Sequence, residues 1–134
     1  MVPWDGSQRP VPFIFPKGVQ MEYDLYTELQ QKRHDLSVCI RKLRETGSAL
    51  AEAERAYKVM LRAESLALRD EGMPVTLIQL TVYGVQSVAT LREERDKAEV
   101  IYKANQDAVN AIKLELRLIE AQLQREWATP QAGY

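Results

Sequence analysis

The sequence predicts an all-α protein, a long antiparallel coiled-coil helical hairpin with a short connecting helix, assembling into a helical bundle. Three observations carry that prediction. A leucine repeat of seven residues runs without a slip from Leu29 to Leu50, and a second heptad pattern runs from Val88 to Glu126. The strongest stop signals between them, Gly72 and Pro74, fall close together in one short stretch. Composition agrees: 28% of the residues are charged and only 6 of 134 are glycine, which suits extended solvated helices better than a compact globule. One domain is expected at this length.

Residues 1–20 differ from everything after them. Pro3, Gly6, Pro10, Pro12, Pro16 and Gly18 interrupt any regular element, because proline fixes φ and removes a donor. An irregular arm is expected here, whose apolar cluster Phe13-Ile14-Phe15 could dock on the helices or on a neighbouring subunit. Met21 opens the helical pattern, so these residues are either a native arm or a mis-assigned start or other non-native extension. The codons of Lys17-Gly18 are compatible with a ribosome-binding stretch, and the sequence leaves the alternatives open. Residues 21–128 then form the hairpin domain. The tail 129–134, with Pro130 and Gly133, is expected to be disordered.

The first helix is expected from Glu22 to about Asp70. Leu29, Leu36, Leu43 and Leu50 occupy one heptad position, followed by Tyr57 and Glu64. Leu25, Lys32, Cys39, Thr46, Ala53, Met60 and Ala67 occupy its companion. A 3.5-residue period held this long drives supercoiling against another helix, over roughly 70 Å at about 1.5 Å per residue. Gly47 is the internal weak point, costing about 1 kcal/mol against alanine. Thr46-Gly47-Ser48 could mark a break, but the leucine phase passes unchanged from Leu43 to Leu50, which favours one continuous helix.

Gly72 and Pro74 end that helix. Thr76 to Tyr83 has the β-branched and aromatic content of a strand, yet no second strand exists to pair with it. A short helix from Thr76, stopped by Gly84 and packing Leu77, Leu80 and Tyr83 over the hairpin end, is the better reading. The third helix is expected from about Ser87 to Trp127. Its seam includes Tyr102, Asn105, Ile112 and Ile119 and alternates three- and four-residue steps without exception.

Two long helices joined by a short connector fold back antiparallel. Placing Glu64 near Leu91 makes facing residue numbers sum to roughly 155. Leu43 then faces Ile112, Leu36 faces Ile119, and Leu50 lies near Asn105. Glu64 with Arg95, and Lys32 with Glu126, put opposite charges near the two ends of the seam. Such pairs penalise slips. Asn105, a polar seam residue, is expected to select register or oligomeric state at a cost in stability.

Several functional classes are disfavoured by composition. A net charge of −1 gives no global electrostatic reason to bind nucleic acid or an anionic membrane. One cysteine, Cys39, permits no intrachain disulfide and fits a reducing cytoplasm; at a seam position it reads as a small buried hydrophobe. No apolar run approaches the roughly 20 residues that cross a bilayer, and no secretory pattern opens the chain. His34 is the lone histidine, without the Glu-x-x-His spacing of a di-iron bundle. No phosphate loop, zinc spacing or nucleophile elbow occurs, so neither catalysis nor a cofactor is expected.

What remains is surface. Ala111, Leu114, Leu118 and Ala121 form an apolar stripe off the seam of the third helix, while Ile40, Leu61, Leu68, Ile101 and Ala108 flank the seams. A monomeric hairpin would leave these partly in water, so self-association is expected, unless the N-terminal arm covers the stripe. Lys32, Arg33, Arg41, Lys42 and Arg44 form a basic stretch able to contact phosphates. The plainer reading is a solvated helix face balanced by Glu115 and Glu120. The acidic run Glu93-Glu94-Arg95-Asp96 with Glu99 faintly matches carboxylate clusters of helical Mg²⁺-dependent nucleotide hydrolases. Ordinary i,i+4 pairs, Arg92–Asp96, Glu93–Lys97 and Glu99–Lys103, explain it better.

The third helix also carries a resemblance. Leu91-Arg92, Arg95-Asp96, Ala98-Glu99, Tyr102, Asn105-Gln106, Ala108, Lys113, Arg117, Glu120, Gln122 and Arg125-Glu126-Trp127 resemble a group of small helical proteins. These are encoded by tailed phages and prophages of Gram-positive bacteria, often among early recombination and single-strand-binding genes. Leu68-Arg69-Asp70-Glu71-Gly72-Met73-Pro74-Val75 resembles the same group, and the likeness covers roughly residues 57–127. It implies a phage or prophage origin, the bacterial host cytoplasm, and a supporting role near DNA metabolism, and it brings no catalytic activity with it.

The expected function is therefore a non-enzymatic interaction protein, an adaptor or inhibitor that presents helix faces to a host or phage protein and to copies of itself. A nucleic-acid-binding accessory in recombination or replication is the alternative, and a Mg²⁺-type nucleotide hydrolase comes third.

Overall fold

The computed structural model describes Gly6 and residues 17–128. Helix α1 spans Lys17–Asp70, α2 spans Val75–Thr81 and runs into a single 3₁₀ turn at Val82–Gly84, and α3 spans Gln86–Ala128. The two long helices pack against each other along their length as an antiparallel hairpin, and no strand occurs among the described residues. The expected arm at 1–16, Gly6 apart, and the tail at 129–134 lie outside the described residues.

Helix α1 begins at Lys17, so residues 17–20 belong to the helix and not to the arm. First-turn N–H groups lack intrahelical acceptors in any case, and exposed Gly18 has open space around it, so no packing opposes this early start. The helix passes through Gly47 unbroken. A methyl group at Gly47 would come 3.2 Å from Cε2 of Tyr102, so the glycine makes room for an aromatic ring on the facing helix.

The end of α1 is a Schellman turn. Gly72 adopts φ 88°, its N–H donates to the Arg69 carbonyl at 2.9 Å, and the Met73 N–H donates to the Leu68 carbonyl at 3.2 Å. Pro74, with φ −60° and ψ 145°, then caps α2, and its carbonyl accepts from the N–H groups of both Leu77 and Ile78. The connector is helical, as expected, but it packs by a different face. Ile78 and Val82 are buried, whereas Leu77, Leu80 and Tyr83 stand 49%, 79% and 46% exposed. Its orientation is set by the glycine turn and Pro74, which aim Ile78 and Val82 inward.

Two apolar cores anchor the hairpin. At the open end Leu29, Leu116 and Ile119 are buried, with Leu36, Ile112 and Leu123 packed on them. At the closed end Tyr57, Val82 and Val88 are buried beneath Met60, Leu61, Leu68, Val85 and Leu91. Leu43, Leu50, Tyr102 and Asn105 are half-buried between the two. All eight seam residues expected from the heptads thus face the partner helix or lie in the layers that do.

The register differs from the one expected. Lys32 pairs with Glu115, Gly47 lies against Tyr102, Asn105 reaches Cys39 and Thr46, and Ser87 donates to Glu64. Each α1 layer therefore meets α3 about one heptad nearer the connector than expected. The proposed end pairs do not form. Arg95 lies over the ring of Tyr57, 4.5 Å from its centroid, and not beside Glu64; Lys32 is taken by Glu115 and not by Glu126. The connector sets this offset, because α3 packs on α1 from its very first turn.

Candidate interaction faces

The observed register divides the ribbon into two faces. With Leu29 and Val88 as heptad positions a, and Lys32 and Leu91 as d, the g positions of both helices flank one side of the seam and the e positions the other. The structure agrees with this assignment. A shallow trough on the g side is lined by Lys42, Glu45, Ile101, Ala104 and Ala108, with Thr46 and Asn105 at its floor.

The apolar stripe continues from that side onto the outer edge of α3. Ala111, Leu114, Leu118 and Ala121 are all exposed, Leu114 by 57% and Leu118 by 59%. Toward the connector it is extended by Ile101 and Val100, 57% and 67% exposed; the sequence pattern had not singled out Val100. On α1 the expected flanking residues are mostly covered, because Leu61 and Leu68 pack on the closed-end core. The expected apolar stripe therefore lies on α3, while α1 exposes apolar side chains at other positions, among them Val59 and Leu66.

The basic stretch does not act as one unit. Lys32 is 2.5 Å from a carboxylate oxygen of Glu115, and that hydrogen bond and charge hold its ammonium above the ordinary lysine range. Lys42 lines the trough on the g side. Arg33, Arg41 and Arg44 are exposed and have no ion-pair partner among the described residues.

The acidic run on α3 is largely consumed locally. Glu93 pairs with Lys97 at 2.8 Å and Glu99 with Lys103 at 3.0 Å, as the spacing predicts. Lys97 hydrogen-bonds Glu93 and keeps its carboxyl below the usual range. Asp96 departs from expectation: it is held at 2.8 Å by Arg95, which it keeps firmly protonated, and not by Arg92. Arg92 lies instead 5.4 Å from the ring centroid of Tyr83. Among the described residues no three His, Cys, Asp or Glu side chains gather into a group able to hold a metal ion. His34 is exposed and Cys39 is a half-buried free thiol. No described helix is long and apolar enough to cross a membrane.

No known protein family, curated protein or solved structure matches the chain.

Proposed function

We propose that this hairpin is a non-enzymatic interaction protein whose outer α3 face docks first on a second copy of itself, the assembly then acting as an adaptor or inhibitor of another protein. The reading rests on the exposure of Leu114 and Leu118, more than half in water on a regular helix face. Ala104, Ala108, Ala111 and Ala121 stand between and beside the larger side chains, and alternating small and large residues let two helices interdigitate. The resemblance to phage and prophage proteins supports placing the assembly in a bacterial host cytoplasm, with a host or phage protein as its target.

Sedimentation velocity on the full chain tests the first step. The wild-type protein is expected to populate a dimer or larger species as concentration rises. The double variant Leu114→Lys/Leu118→Lys is expected to remain a monomer with unchanged helicity, since both positions face away from the seam. A wild-type monomer at every concentration, or a variant that still associates, would overturn the reading.

A further inference from the structure

We infer that the opposite face of the hairpin, carrying the e and b positions, is a binding surface for the phosphodiester backbone of duplex nucleic acid. Six exposed cations lie there: Arg33, Arg41 and Arg44 from α1, with Lys103, Lys113 and Arg117 from α3, all at e or b positions except Arg41, which stands at the adjoining outward f position. The sequence alone suggested the first three but grouped them with Lys32 and Lys42, which the fold sends elsewhere. The α3 cations become visible only once the register is known. The pairing of Lys32 with Glu115 and the approach of Asn105 to Cys39 set the stretch 33–44 across from the stretch 103–117.

What makes this a patch is the missing acid. At the e and b positions α3 has no carboxylate between Glu99 and Glu120, and α1 has none before Glu54; Ser37, Gln106 and Asn110 fill intervening sites, and Asp107 stands at the outward f row of α3. Because the whole chain is close to neutral, the balancing acids must lie elsewhere. Glu28, Asp35, Glu45 and Glu52 occupy g and c positions of α1, on the other side of the seam. That segregation orients the hairpin on a polyanion, basic face inward and apolar face free.

Among the described residues, only Lys103 of the six is engaged in an ion pair, with Glu99. Arg33 to Arg44 spans roughly 16 Å and Lys103 to Arg117 roughly 21 Å at about 1.5 Å per residue, on two axes about 8–10 Å apart. A duplex presents one charge per about 1.7 Å of axis, so on the order of ten phosphates lie within reach. No aromatic side chain is interleaved with the six cations to stack on unpaired bases, exposed Tyr26 standing a heptad beyond Arg33 at the edge of the patch, which favours duplex backbone over single strands.

The experiment is anisotropy of a fluorescein-labelled, mixed-sequence DNA duplex titrated with the full chain. Binding is expected near 50 mM salt, weakening by about a thousandfold near 200 mM if all six cations meet phosphates. Arg33→Glu/Arg44→Glu and Lys113→Glu/Arg117→Glu are each expected to lose about tenfold or more. Lys42→Glu/Lys97→Glu, the same charge change on the opposite side, should lose less than about threefold. Circular dichroism confirms the fold of each variant, and glutamine versions replace any that do not fold. No binding at low salt, equal loss in the opposite-side control, or equal competition by polyglutamate at matched charge would each overturn the assignment, the last by pointing to an acidic protein instead. The readout is independent of self-association through Leu114 and Leu118.

Discussion

Asn105 is where the seam departs from aliphatic chemistry. Its Nδ2 lies 3.4 Å from the Cys39 carbonyl and 3.5 Å from Oγ1 of Thr46, both at the long limit of a hydrogen bond. The Thr46 hydroxyl donates to the Lys42 carbonyl at 2.9 Å and accepts from the amide through a lone pair, but both amide contacts are so long that the amide gains little for being half-buried. A polar side chain at such a layer costs stability and excludes alternative pairings. Asn105→Leu is therefore expected to raise the unfolding free energy by about 1 kcal/mol in a urea titration. It should also broaden the sedimentation profile into more than one assembly. A less stable variant, or one unchanged sharp species, would contradict this role. Gly47 belongs to the same region and shows why single residues resist reading from sequence. Locally it is a helix defect; its justification is the ring of Tyr102, on the facing helix and distant along the chain.

At the scale of elements, the connector supplies the sharpest test. Val88 is fully buried and Val82 is 3% exposed, whereas Leu80 is 79% exposed. Val88→Ala should cost about 2 kcal/mol in chemical denaturation, from lost transfer energy and the cavity left behind. Leu80→Ala should stay within about 0.5 kcal/mol of wild type. Equal losses would mean that the connector packs by its other face. The existence of each helix was legible because the heptads are long and Gly72 and Pro74 are unambiguous stops. The facing of α2 was not, because seven residues make only two turns and nearly every position from Leu77 to Val82 is apolar or β-branched. Its orientation comes from the Schellman turn and Pro74, which are backbone geometry and leave no trace in hydrophobic periodicity.

For the molecule as a whole, register is the decisive property, and the sequence could not fix it. Sliding one heptad helix past another by about seven residues restores apolar layers against apolar layers, so the repeat itself is indifferent. Only features outside the repeat choose, here the packing of the first turn of α3 on α1 and the ion pair between Lys32 and Glu115. The candidate faces inherit that limit: the α3 stripe was legible as a pattern on one helix, but the basic face requires two helices aligned. A charge-swap cycle tests the alignment. Lys32→Glu should lower the melting midpoint, adding Glu115→Lys should restore it, and adding Glu126→Lys instead should not. The cycle is best read near neutral pH. The pKa of Lys32 is raised by Glu115, so its contribution is fully present below the ordinary lysine value of 10.5 and is lost only as pH rises through the higher folded value. If Glu126→Lys rescued and Glu115→Lys did not, α1 would sit about a heptad away from this register. Arg33 and Arg44 would then stand across from about positions 122 and 111, which leaves Lys103 outside the basic face and brings Glu120 into it.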